Sequence, residues 1–120
     1  MGNTVWVLKE GQESDDWDHS LMLSQEKLLD RLANELKVKK LSELYDYSVL
    51  SEEFGDADIQ PNYLVAAEAR ETLSALIEAI GSGNYDVKSS DELLEELQDC
   101  LSKVVESEKE QCSIRFSIIP

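Results

Sequence analysis

Three segments of this chain repeat leucine and other apolar residues every three or four positions, which is the spacing of one face of an α-helix. The first helix is predicted from Ser24, as its cap, to about Val38. Leu23 and Leu28 are spaced as a hydrophobic staple across that cap. The predicted buried face consists of Leu28, Leu29, Leu32, Ala33 and Leu36. The chain must therefore fold as packed amphipathic helices.

The other two helical segments lie in the second half. One is predicted from about residue 63 to Gly81, because glycine commonly ends a helix in the left-handed conformation. The next follows Ser89 and Glu92, which have the spacing of a capping box, and continues to about residue 109. Its predicted apolar residues are Leu93, Leu94, Leu97, Cys100, Leu101, Val104 and Val105. Residues 41–62 are predicted to form only short helical turns.

Both ends of the chain have the pattern of a β-strand. Residues 4–9 are rich in β-branched and aromatic side chains, and residues 113–119 alternate apolar and polar positions. We predict that the two strands pair antiparallel, with Trp6 or Val7 opposite Phe116. The predicted fold class is thus α+β and predominantly helical, with three main helices and a small antiparallel sheet, in a single domain over residues 1–120.

The charge balance excludes several classes of ligand. The 26 acidic and 11 basic residues give a net charge of −15. Nucleic acids and anionic membranes are bound through lysine and arginine, so this chain would be repelled by both. A basic protein partner fits this charge, although the acidity could also serve only solubility.

The sequence favours a cytoplasmic location. The N-terminus lacks the positively charged and apolar regions of a secretion signal, and Trp6 stands where a myristoylation motif needs serine or threonine. Cys100 is predicted on the apolar face of the last helix and Cys112 just beyond its end. The pair would be too far apart for a disulfide, so both are expected to be free thiols.

Candidate binding residues concentrate in an acidic segment around one tryptophan. Aromatic side chains often anchor protein interfaces, and Trp17 has acidic neighbours on both sides. We predict partner binding by Asp15, Asp16, Trp17, Asp18, Tyr45 and Tyr47. The alternative for Trp17 is that its indole folds back onto the helical core.

Signals for catalysis are weak. Asp15, Asp16, Asp18 and His19 could hold a divalent cation, but no second histidine supports a transition metal. Asp56 and Asp58 resemble the start of a calcium loop, but Pro61 stands where that motif needs glycine. We therefore expect no cofactor, no metal and no catalytic residues.

The leading functional hypothesis is a non-enzymatic binding or regulatory protein that neutralises a basic protein partner. In size and acidity the chain is similar to bacterial immunity and antitoxin proteins, a likeness of class carried by no motif. Two alternatives stay open: a structural homodimer or adaptor whose acidity serves solubility, and a metal-assisted enzyme that uses residues Asp15 to His19.

Overall fold

The computed structural model describes residues 3–49, 55 and 61–120 of the chain. Three strands lie in this part: β1 (Thr4–Lys9), β2 (Tyr45–Asp46) and β3 (Ile114–Ile119). The helices are α1 (Ser20–Ser24), α2 (Glu26–Leu36), α3 (Leu41–Leu44), α4 (Ala66–Gly81) and α5 (Ser90–Lys109). The described part is thus an α+β fold in which helices predominate.

The C-terminal strand β3 is the middle strand of the sheet, in the order β1-β3-β2. It pairs antiparallel with β1, as predicted, and Val7 lies opposite Phe116, which is one of the two registers that the sequence left open. The predicted antiparallel pair is only part of the sheet, because β2 pairs with β3 in parallel through Tyr45 and Asp46 and makes the sheet mixed. Strand β2 could not be predicted, because two residues are too few to show the alternation of apolar and polar positions that identifies a strand.

One face of the sheet packs against the two long helices. Val5, Val7, Ile114, Phe116 and Ile118 are at most 1% exposed and share one core cluster with apolar residues of α4 and α5. The alternating pattern of the last strand predicted this inward face correctly. Ser117, on the opposite face, is also buried, so β3 is covered on both sides.

The first predicted helix is two helices. It begins at Ser20, four residues before the predicted cap, and is interrupted at Gln25. Ser24 is the last residue of α1, and its hydroxyl donates a hydrogen bond to the Leu21 carbonyl at 3.1 Å. A serine hydroxyl can bond to the turn before it as well as cap a helix after it. The presence of Ser24 was therefore not enough to locate the helix boundary.

The second predicted helix differs from the prediction at its start and in its capping residue. Helix α4 begins at Ala66 rather than residue 63, because Leu64 is extended and exchanges backbone hydrogen bonds with Ile114. The helix ends at Gly81, as predicted, but Gly81 is not left-handed; the left-handed glycine that follows the helix is Gly83, with φ of 78°.

The last helix ends at Lys109, as predicted, but the capping box was wrong. Ser89 is left-handed, with φ of 53°, and its side chain makes no capping hydrogen bond. An N-cap residue is normally extended, which directs its hydroxyl at the amides of the first turn. The left-handed conformation of Ser89 does not direct the hydroxyl there. Cys100 and Cys112 are both free thiols, as expected.

The calcium-loop candidates Asp56 and Asp58 lie outside the described residues, as does part of the segment 41–62 that was predicted to form short helical turns. Within the described residues, none of the helices is long and apolar enough to cross a bilayer.

Candidate functional site

Residues 12–19, called the acidic loop below, lie along the outer edge of β1. The Val7 amide donates to Asp15 Oδ2 at 2.8 Å, and His19 Nδ1 is 2.8 Å from the Val5 carbonyl oxygen. Gln12 contributes two more hydrogen bonds. Its side-chain oxygen accepts from the Lys9 backbone amide, and its backbone amide donates to the Lys9 carbonyl. The loop therefore satisfies backbone groups that an edge strand would otherwise expose.

Helix α5 holds the acidic loop from its other side through Lys103. The ammonium contacts Asp15 Oδ1, and it lies 2.8 Å from Asp16 Oδ1 and 2.8 Å from Asp99 Oδ2. Burial of the ammonium opposes its charge, but the hydrogen bonds with the three carboxylates outweigh this and raise the pKa of Lys103 above its usual range. Asp15 is the centre of the arrangement, because its carboxylate is fully buried and joins β1 to α5.

His19 is the only histidine of the chain and is completely buried. Its Nδ1 faces the Val5 carbonyl oxygen, and its Nε2 lies 2.7 Å from Asp99 Oδ2. The His19 ring therefore joins β1 to α5 through its two nitrogens.

A fourth carboxylate fixes the short helix after the loop. Glu96 is 7% exposed and accepts hydrogen bonds from the amides of Leu21 and Met22, at 3.3 and 3.1 Å. These are among the amides that the start of α1 leaves without helical partners. Burial raises the pKa of Glu96 above its usual value, although the two amide bonds oppose the change.

The outward side of the acidic loop carries Trp17 between two aspartates. Trp17 is 42% exposed, and the Asp16 side chain is 85% exposed. Asp18 is also exposed, and it accepts a hydrogen bond from the Trp6 indole nitrogen at 2.7 Å. The Trp17 ring centre lies 5.8 Å from that of His19, so the indole rests on the buried histidine with its other side in solvent.

The six predicted binding residues do not form one surface. Tyr45 is 3% exposed and belongs to the core, where burial raises its pKa well above the usual range. Tyr47 is 42% exposed and lies edge-on to Tyr45, with 6.5 Å between the ring centres. Asp15 is buried. The exposed members on the acidic loop are Asp16, Trp17 and Asp18.

The residues of the metal hypothesis are partly brought together. Oxygens of Asp15, Asp16 and Asp99 lie within 4.8 Å of one another, but Lys103 contacts all three carboxylates. An ammonium already supplies the positive charge there, so a divalent cation would have to displace it. His19 is likewise engaged, because both of its ring nitrogens lie at hydrogen-bond distance from oxygen atoms.

The sequence did not reveal the α5 side of this site. Glu96, Asp99 and Lys103 lie more than 70 residues from their loop and α1 partners. The only local signal is that Asp99 and Lys103 are one helical turn apart, a spacing common on solvated helix faces.

Comparisons with protein-family models, curated proteins and solved structures found no match. The functional argument therefore rests on the geometry of the acidic loop.

Proposed function

We propose that this chain is a non-enzymatic binding or regulatory protein that recognises a basic protein through the exposed side of the acidic loop. Trp17 would be the apolar anchor, and Asp16 and Asp18 its acidic rim. The observation that carries the proposal is that Trp17 is half-exposed on a loop fixed to both β1 and α5.

Fixing the loop matters because an ordered anchor loses little conformational entropy when it binds. Buried tryptophans are among the residues that contribute most to interface affinity, especially inside a polar rim. The net charge of −15 would accelerate encounter with a basic surface in a salt-dependent way. Neutralisation of a basic toxin or nuclease is the specific form of this function that we favour.

The test is capture from a lysate of the source cells by the immobilised wild-type protein, Trp17→Ala and a matched control, Tyr63→Ala. Tyr63 is also exposed, at 46%, but lies in a different segment. We expect wild type and Tyr63→Ala to retain the same basic protein, and added salt to release it. With that protein purified, Trp17→Ala should weaken the dissociation constant by roughly 30-fold or more, as expected for a central anchor. Equal binding by Trp17→Ala would contradict the proposal.

The two alternative functions have separate tests. A homodimeric adaptor predicts twice the chain mass in sedimentation equilibrium at micromolar concentration. A metal-assisted enzyme predicts stoichiometric binding of Mn²⁺, Zn²⁺ or Ca²⁺ in calorimetry, abolished by Asp15→Asn.

A further inference from the structure

A surface cavity lies where α2 and α4 end. Its volume is about 360 Å³, and the described residues that line it come from both helices and from the segment after α4. Leu36 is the last residue of α2, and Ser82 directly follows the last residue of α4. The apolar part of the wall is formed by Leu36, Ala75, Ala79 and Tyr85. The volume falls within the range of small-molecule sites, which is about 300–1,000 Å³.

The charged group of this cavity is a carboxylate. Glu78 lines the cavity and is exposed, and it forms no ion pair within the part of the chain that the structure describes. Lys37 follows α2 directly and is exposed, but it is not among the described lining residues. The cleft beside the acidic loop differs, because it already contains the ammonium groups of Lys9 and Lys103. The described wall of the cavity at the helix ends therefore carries a negative charge without a cation.

The ends of the two helices add to this negative potential. The last carbonyls of a helix lack helical donors, and the C-terminal end carries a partial negative charge of roughly half an elementary charge. Neither α2 nor α4 has a basic residue in its last turn. The Ser82 hydroxyl donates to the Ala79 carbonyl at 2.6 Å, which satisfies one carbonyl but leaves the direction of the helix dipole unchanged. Both helix ends therefore favour a cation at the cavity.

We propose that this cavity binds a small organic cation, a primary ammonium group carried on an apolar body. The ammonium lies between Glu78 and the two helix ends, and the apolar body packs against Leu36, Ala79 and Tyr85. An aromatic ring such as that of Tyr85 attracts a cation to its face, which adds to the preference for positive charge. This binding is a further function, because it uses neither the acidic loop nor Trp17.

The experiment is a titration of the full-length protein with phenethylamine, followed by NMR through the methyl groups of Ala75 and Ala79. Two probes of similar size serve as controls: phenylacetate carries a negative charge, and phenylethanol carries none. We expect phenethylamine to shift both methyl signals in a saturable way. Phenylacetate should bind at least roughly tenfold more weakly, because Glu78 and the helix ends repel its carboxylate.

The variant Glu78→Gln removes the charge and keeps the size of the side chain. It should weaken phenethylamine binding by roughly threefold to fivefold, as expected for an exposed ion pair, and leave phenylethanol binding unchanged. The matched control is Glu71→Gln, an exposed carboxylate on the same helix that does not line the cavity. Both positions are exposed, so neither substitution should alter the fold.

Three results would overturn the proposal: no saturable shift with phenethylamine, equal binding of phenylacetate, or the same effect of Glu78→Gln and Glu71→Gln. A rival occupant is a basic side chain of the protein partner proposed above. Capture of that partner should be equal for wild type and Glu78→Gln, because the acidic loop is unchanged. If Glu78→Gln reduces capture while phenethylamine does not bind, the cavity belongs to the protein interface and the small-cation proposal fails.

Discussion

Replacement of Lys103 by methionine should destabilise the protein far more than replacement of an ordinary surface lysine. The ammonium contacts Asp15, Asp16 and Asp99, and the Lys103 side chain is only 18% exposed. Without it, the fully buried Asp15 carboxylate keeps its two amide donors but loses its ammonium partner, while the Asp99 carboxylate remains close by. Methionine retains the length and the apolar stem of the side chain, so the loss is mainly one of charge.

The magnitude follows from two independent considerations. Two carboxylates with oxygens no more than 4.8 Å apart repel by at least about 3 kcal/mol at an effective dielectric constant near 20. Removal of one partner from a buried ion pair typically costs about 3–5 kcal/mol, and partial exposure of Lys103 together with proton uptake by a carboxylate reduces this. We expect Lys103→Met to lower the free energy of unfolding by about 2–4 kcal/mol near neutral pH.

Urea denaturation followed by circular dichroism measures this difference. The matched control is Lys27→Met on an exposed position of α2, expected to change stability by less than about 0.5 kcal/mol. Asp15→Asn in the Lys103→Met background should recover part of the loss, because it removes the unpaired charge. A loss below about 1 kcal/mol for Lys103→Met, or no coupling between the two positions, would refute the reasoning.

Three further predictions test other parts of the fold. Asp46 is 1% exposed and accepts hydrogen bonds from three residues, including Arg115 at 3.0 Å, so Asp46→Ala should cost about 3 kcal/mol in urea denaturation. Burial raises the pKa of Tyr45, so its neutral phenol stabilises the fold below the usual tyrosine value of about 10 and this contribution is lost at higher pH. Alkaline absorbance titration should therefore show Tyr45 ionising only as circular dichroism reports unfolding. Leu97 is fully buried, and Leu97→Ala should cost about 2–5 kcal/mol by the same assay, against a smaller loss for the half-buried Leu101→Ala.

The sequence predicted those parts of the fold that rest on long apolar patterns. The face of α5 through Leu93 and Leu97 and the end of that helix at Lys109 are as expected, and so is the Val7–Phe116 register. Each of these predictions rests on many positions that show the same periodicity, so one residue that departs from the pattern does not change the prediction.

Features that depend on single residues were predicted poorly. Capping roles were assigned from residue type alone. Ser24 instead bonds to the turn before it, Ser89 makes no capping hydrogen bond, and Gly81 ends its helix without being left-handed. Strand β2 was not predicted, because a strand of two residues shows no alternation of apolar and polar positions.

The candidate site was predicted only on its loop side. The cluster of aspartates around Trp17 drew attention to residues 15–19, yet composition could not show that Asp15 is buried and Asp16 exposed. Asp15 is held between the Val7 amide on β1 and Lys103 on a distant helix, whereas Asp16 contacts Lys103 but stays exposed. Local sequence records which charges are present but not which of them are neutralised by the fold.

The most direct test of this account is whether the Val7 amide is hydrogen-bonded to the Asp15 carboxylate in solution. A through-hydrogen-bond NMR coupling between the Val7 nitrogen and the Asp15 side-chain carboxyl carbon measures it, with the Glu10 amide to Ser113 carbonyl bond, at 3.0 Å, as the internal reference. The account predicts both couplings in the same spectrum at neutral pH. A visible Glu10–Ser113 coupling with none between Val7 and Asp15 would show that the acidic loop is not held on the sheet edge.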